Sequence, residues 1–287
     1  MTRYVIITPV RDEEQHIEAT IKSVIGQILR PAEWVIVDDG STDRTGEIID
    51  HYAAQFPFIR AVHRSNRGFR QAGGGVMEAF YDGYNALRCD DWEFIVKLDG
   101  DLSFSPEYFQ KCFEHFHESP RLGIGGGEIY HDLAGKLKLE SNPKFHVRGA
   151  TKIYRMACWE AIGGLWRAPG WDTVDEVRAN MLGWKTSSFE DLRLIHHRLT
   201  GAADGLLRDR VKYGSVCFTS GYHPLFVLAR CLYRLVRKPY IIGSLAILFG
   251  FLKAYFTHMP QVNDKRLIRY VRAQQLRRLF GLKTVWR

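Results

Sequence analysis

Short apolar runs alternate with helix-spaced apolar positions along the first hundred residues. Tyr4-Val5-Ile6-Ile7, Trp34-Val35-Ile36-Val37, Phe58 to Val62 and Trp92 to Val96 are continuous, rich in β-branched and aromatic residues, and predict buried strands. Between the first two, Ile17, Ile21, Val24, Ile25 and Ile28 recur at helical spacing across 13–29. Helices are expected again over 43–55 and 76–87, with Ser41 or Thr42 placed to cap the first of these. After the fourth strand, Ser105 and Pro106 suit an N-cap and a first helical position. Strands of this kind, each followed by a helix, predict an α/β fold: a Rossmann-like, mostly parallel sheet with helices on both faces.

The pattern then loosens. Residues 148–155 suggest a strand, and Cys158 to Ile162 a short helix ended by Gly163-Gly164. Asp172 is placed to cap a helix reaching Leu182, with Gly183 as its stop and a strand starting at Trp184. Residues 224–287 read as helical throughout. Tyr240 to Leu252 runs 13 residues without a charge. As a helix this is about 20 Å, short of the roughly 30 Å apolar core of a bilayer. A last helix is expected over 264–280, carrying Lys265, Arg266, Arg269, Arg272, Arg277 and Arg278.

Charge divides the chain of 287 residues. Residues 221–287 hold 13 Lys and Arg against one acid, Asp264, whereas residues 1–220 hold 27 basic and 31 acidic residues. A mildly acidic domain over 1–220 with a C-terminal basic helical tail over 221–287 is therefore expected. Basic, aromatic-flanked and amphipathic helices suit an anionic membrane surface. The alternative is a helical appendage packed on the domain with a solvated basic face. Nucleic acid is not expected as a partner, because no motif reads bases. The five cysteines form no CxxC pair and suggest reduced, buried thiols. Met1-Thr2-Arg3 leads straight into the first strand, so no leader is expected.

Candidate chemistry gathers at strand ends. Asp38-Asp39 closes the second strand, and Asp99-Gly100-Asp101 the fourth. In open α/β sheets, ligands bind at that edge. Carboxylates held so close repel each other, and a hard divalent cation relieves this; a solvated Asp-Gly turn is the plainer explanation for either pair alone. Arg64, Arg67 and Arg70 lie on a polar, glycine-rich stretch where a diphosphate, or only water, could meet them. Dinucleotide binding is not supported, because Thr8 to Glu14 stands where GxGxxG is needed. The chain has no GxxxxGK[ST] and no HExxH.

Thr8-Pro9-Val10-Arg11-Asp12-Glu13-Glu14, Val37-Asp38-Asp39-Gly40-Ser41-Thr42-Asp43, Lys97-Leu98-Asp99-Gly100-Asp101, Gly163-Gly164-Leu165 and Asp172 to Arg178 with Gly183-Trp184 occur in that order over residues 3–200. The set resembles the inverting nucleotide-sugar glycosyltransferases of family 2, which have the GT-A fold. The resemblance implies a nucleotide-sugar site at Thr8, Pro9, Val10, Arg11, Glu13, Asp38, Asp39, Asp99 and Gly100, with Arg67 and Arg70 beside it. It implies Mg²⁺ or Mn²⁺ on Asp101 and Asp99, with a late histidine, His196 or His197, as a further ligand. Asp172 would be the general base, with Asp175 and Glu176 as alternatives one turn on. The family's Glu-Asp pair is Trp171-Asp172 in this chain. Gln274-Gln275-Leu276-Arg277-Arg278 is similar to the QxxRW of processive synthases but has Arg278 for the Trp, which favours a single addition. A UDP- or GDP-sugar donor, a glycan or glycolipid acceptor and a cytoplasmic place, peripheral on the inner face of the membrane, are the corresponding expectations. A nucleotidyltransferase and a catalytically silent nucleotide-sugar-binding or scaffold protein are the alternatives.

Overall fold

The structure is a computed structural model that describes residues 2–66, 68, 74–133, 135–140, 142–198, 205–236 and 239–285. Its first half runs β1 (Tyr4–Val10), α1 (Ile17–Ile25), β2 (Glu33–Asp38), α2 (Thr45–Gln55), β3 (Ile59–His63), α3 (Gly74–Ala86) and β4 (Phe94–Leu98). The four strands lie parallel in the order β3-β2-β1-β4. Strand alternation sorts their side chains into two cores. Tyr4, Ile6, Trp34, Ile36, Phe94 and Val96 pack with Ile17, Ile21 and Val24 of α1. Val5, Ile7 and Ile95 pack on the other face with Met77 and Phe80 of α3. Each such side chain contributes about 1.5–3 kcal/mol on full burial. Both faces are thus covered, as the continuous apolar strands require.

The second half is mixed. It comprises β5 (Leu102–Phe104), α4 (Tyr108–Glu118), β6 (Leu122–Leu133), β7 (Lys136–Leu139), β8 (Thr151–Arg155), α5 (Met156–Ile162), α6 (Trp171–Met181) and β9 (Lys185–His196). The sheet continues β4-β8-β6-β9-β5, with β7 paired to β6. Strand β8 is antiparallel to β4 and β6, whereas β6 and β9 are parallel. Glycines let β6 sit this tightly: a Cβ on Gly127 would lie 2.9 Å from the Tyr108 ring.

Three caps differ from expectation. Neither Ser41 nor Thr42 caps α2: its N-cap is Arg44, with no capping bond, and Asp43 Oδ1 accepts from Thr45 N at 3.0 Å just before it. Ser105 precedes a turn, and α4 starts only at Tyr108. Gly170 is the N-cap of α6, which places Asp172 inside the first turn with no capping bond.

The chain ends in α7 (Leu206–Thr219), α8 (Pro224–Arg234), α9 (Tyr240–Phe256) and α10 (Lys265–Leu279). Asp264 caps α10 through Arg266 N and Leu267 N. These helices share a third core with α6, in which Val174 and Val177 meet Tyr222, Phe226, Phe251 and Leu267. The half-buried Arg230 lies over the Tyr213 ring at 5.0 Å. Helix α9 has 17 residues, about 25 Å. No helix among the described residues is long and apolar enough to cross a membrane. All five cysteines are free, and four are buried.

Candidate functional site

A cleft of about 280 Å³ opens at the carboxyl ends of β1, β2 and β4. Pro9, Val10, Arg11, Glu13, Asp39, Asp99, Gly100 and Asp101, all expected at a site, line it. Two turns build its wall. Asp12 adopts a φ of 52°, which a short polar side chain tolerates. Its Oδ1 then accepts from Thr42 N at 2.8 Å, and Thr45 Oγ1 accepts from Glu13 N at 2.7 Å. Gly100 is where the next turn meets this wall: a Cβ there would overlap Val10 and Ile17.

Other expected residues lie outside the lining. Thr8 is buried, its Oγ1 accepting from Trp34 Nε1 at 2.9 Å. Asp38 is held in its own turn, where Ser41 N donates to Oδ1 at 2.8 Å and His63 meets Oδ2 at 3.2 Å. Asp39 faces the cleft and pairs with Arg64, whose Nε also reaches Asp82 at 2.7 Å. Arg67 and Arg70 lie outside the described residues.

Six further residues line the cleft that the sequence did not place at a site, among them Val76 and Ala79 of α3. Lys97 Nζ, 2 % exposed as a residue, donates to Asp99 and to the Gly149 carbonyl at 2.7 Å. A lysine inside an apolar strand, two residues before Asp99 and so on the same face, was the available signal. Arg198 reaches Glu13 at 2.6 Å and lies 4.0 Å from Asp101. Trp171 and Gly149 complete the set. Nothing in the local pattern marks Gly149.

The carboxylates of Asp99 and Asp101 respond oppositely to this setting. Burial, reinforced by the neighbouring Asp101 charge, raises the Asp99 pKa despite Lys97. Burial also acts to raise Asp101, but the His196 hydrogen bond and charge, with Arg198 and Lys97, outweigh it and lower that pKa. His196 Nε2 lies 3.1 Å from Asp101 Oδ2. Asp101 Oδ1 is buried and makes no hydrogen bond among the described residues. An unpartnered oxygen of this kind costs about 1–3 kcal/mol, which a hard divalent cation at that atom would relieve. The donor pair of Asp101 and Asp99 therefore fits such an ion, whereas His196, expected as a further ligand, has its Nε2 engaged by Asp101. His197 does not join it: its Nε2 meets Ser103 Oγ at 2.9 Å and its ring stacks on His16.

The three acids of α6 separate cleanly. Asp175 and Glu176 are 2 % and 0 % exposed. Lys152 Nζ lies 3.0 Å from Asp175 and 2.8 Å from Glu176, and both acids take further donors from Tyr154, His146 and the Val147 amide. Burial, with Glu176 beside it, pushes Asp175 up to about 6. These two acids form a closed ion cluster. Asp172 is half-buried, and its Oδ2 lies 3.4 Å from where a Cβ on the cleft residue Gly149 would be. It is the acid of this helix that borders the cleft.

Comparison with known proteins agrees with this architecture. The glycosyl transferase family 2 model matches residues 5–159, from β1 through most of α5. The uncharacterized glycosyltransferase EpsJ of Bacillus subtilis (strain 168) is 34 % identical over 125 residues, 44 % of this chain and 33 % of that protein. An undecaprenyl-phosphate 4-deoxy-4-formamido-L-arabinose transferase of Edwardsiella ictaluri (strain 93-146) is 25 % identical over 265 residues, 86 % of this chain and 73 % of that one. Among solved structures, the mannosyltransferase PcManGT of Pyrobaculum calidifontis, in complex with GDP-Man and Mn²⁺, superposes with a TM-score of 0.58. It is 15 % identical and the match covers 98 % of this chain and 88 % of that one, a likeness of fold. The family match spans more than half of the sequence and contains the acidic turns that build the cleft: the chain belongs to glycosyl transferase family 2.

Proposed function

We propose that the protein is a metal-dependent, inverting glycosyltransferase. It moves one sugar from a UDP- or GDP-sugar to a hydroxyl of a glycan or glycolipid. The observation that carries this is a cleft lined by Asp99 and by Asp101 with its unpartnered oxygen, with Asp172 beside the lining residue Gly149. Asp39 and the Pro9–Glu13 wall are placed for the nucleoside, and Arg198 and Lys97 supply positive charge near the diphosphate. Held by Asp101 and Asp99, Mg²⁺ or Mn²⁺ would neutralise charge on the departing diphosphate. Asp172 takes the proton of the attacking hydroxyl, and displacement by that hydroxyl inverts the anomeric centre. Asp175 and Glu176 cannot serve, because their oxygens are committed to Lys152, Tyr154 and His146. The test is release of nucleoside diphosphate from a panel of UDP- and GDP-sugars with Mn²⁺, with proton NMR of the product. One donor class should be consumed, chelator should stop it, and the product anomer should be opposite to the donor's. Retained configuration, or turnover indifferent to chelator, would contradict the proposal.

We also propose that residues 221–287 hold the catalytic unit, residues 1–220, peripherally on the inner face of a membrane, near a lipid-linked acceptor. The name of the E. ictaluri relative includes undecaprenyl phosphate, a lipid-linked phosphate. Leu225, Leu228 and Leu232 share one face of α8, and Ile241, Leu245, Phe249, Leu252 and Phe256 one face of α9. They are exposed, from 41 % at Leu252 to 71 % at Phe256. Tyr233, Tyr240 and Tyr255 flank them, and the surrounding segment is basic. Apolar stripes with aromatic and basic borders partition into a lipid interface. The full chain should sediment with vesicles of phosphatidylcholine and phosphatidylglycerol, and less with phosphatidylcholine alone. Phe249→Glu should weaken this by about tenfold or more, one large apolar side chain's worth of burial. Binding that ignores both lipid charge and this substitution would count against membrane docking.

A further inference from the structure

We infer that His131, Glu140 and His196 form a second cation site, selective for Zn²⁺-class transition metals and separate from the Asp101 oxygen. The sheet brings them together. Strand β6 is flanked by β7 on one side and β9 on the other, with Tyr130 opposite Leu139 and Ile195. One residue further along lie His131 and His196, and Glu140 follows β7 opposite Ile129. Residues so paired share a sheet face, and adjacent strands are about 4.8 Å apart. One ligand atom from each of the three side chains lies within 4.8 Å of the others. The side chains are 12 %, 22 % and 11 % exposed, in the order His131, Glu140, His196.

Each side chain is oriented through its other polar atom. His131 Nδ1 lies 3.3 Å from the His196 carbonyl, the acceptor for its N–H, which leaves Nε2 with a lone pair 3.5 Å from Glu140 Oε2. Arg148 holds Glu140 Oε1 at 2.7 Å. Asp101 holds His196 Nε2. The remaining atoms, Glu140 Oε2 and His196 Nδ1, are buried and make no hydrogen bond among the described residues. A carbonyl or carboxylate behind each imidazole, with the other nitrogen left to coordinate, is how metal-binding histidines are set. Two imidazoles and one carboxylate suit Zn²⁺, Co²⁺ or Ni²⁺, whereas oxygen-rich sets suit Mg²⁺. Such an ion would tie the β6–β7 hairpin to the end of β9 and fix the imidazole that faces Asp101.

The test is Co²⁺ titration of the chelator-treated full chain, read by the visible absorption of tetrahedral cobalt. One Co²⁺ should bind with that signature, persist in excess Mg²⁺ and yield to Zn²⁺. Glu140→Gln, which keeps size and shape, and His131→Gln should each weaken it at least tenfold while circular dichroism stays unchanged. A chain that keeps no such Co²⁺ in excess Mg²⁺ would overturn the inference, as would the same affinity in both variants. If His131→Gln unfolds the chain, the Glu140→Gln titration decides.

Discussion

Asp172→Asn is expected to remove about 10²–10⁴-fold of the transfer rate while the donor still binds with unchanged affinity. The amide has the size of the carboxylate but cannot take a proton. Asp172 is half-buried and makes no capping bond, since Gly170 occupies that position. The helix start therefore loses no hydrogen bond, only the first-turn charge of about 0.3–1 kcal/mol, and the variant should unfold close to the wild-type temperature. Asp175→Asn should behave differently. Its carboxylate is enclosed with Lys152 and Tyr154, so the loss should appear in stability before it appears in turnover. Steady-state kinetics with thermal unfolding on both variants separates the two outcomes. Equal kcat loss with equal destabilisation in both would remove Asp172 from the role of base.

Lys152→Met should destabilise the protein by about 3–5 kcal/mol, the cost of stranding buried partners of an ion pair. Lys152, 0 % exposed on β8, is shared by Asp175 and Glu176 of α6 and also donates to the Asp172 carbonyl. Two carboxylates would be left inside with His146, Tyr154 and the backbone amides of Val147 and Glu176 as donors among the described residues. The cluster thus pins the first turns of α6 to the sheet, and with them Asp172. Urea denaturation should show a lower midpoint at similar slope. Adding Asp175→Asn and Glu176→Gln to the Lys152→Met chain should recover part of the loss, because the stranded charges are then gone. No recovery would mean that packing, not charge, sets the cost.

The parallel half of the fold was legible because its strands are buried on both faces. Val5 and Ile7 serve one core while Tyr4 and Ile6 serve the other, which leaves an unbroken apolar run. The paired acids at strand ends were legible for a similar reason, since a parallel sheet brings those ends to one edge. The antiparallel half was not. Strand β5 has only three residues, and β9 carries Ser187, Ser188, Glu190 and Asp191, so neither presents a clean period. Its pairings join residues far apart in sequence, as between Leu102 and His196, and local patterns do not report them. The caps shifted by a residue or more because several polar residues compete at each helix start. Ser41 and Thr42 were unavailable to α2 because Asp12 engages Thr42 and Ser41 meets the Asp12 amide. Arg198 reaches the cleft through that long-range pairing and Trp171 through the packing of α6 on the sheet, whereas Lys97 could have been suspected from its place in the strand.

Calorimetric titration of UDP, GDP, CDP and dTDP into the full chain, with Mn²⁺ and with chelator, tests the central claim most directly. One nucleotide should bind at micromolar strength only with metal, and Asp101→Ala should abolish that binding while the protein stays folded. Binding of the same nucleotide with equal strength in chelator or in Asp101→Ala, or no binding of any of the four, would contradict a metal-held nucleotide-sugar site at this cleft.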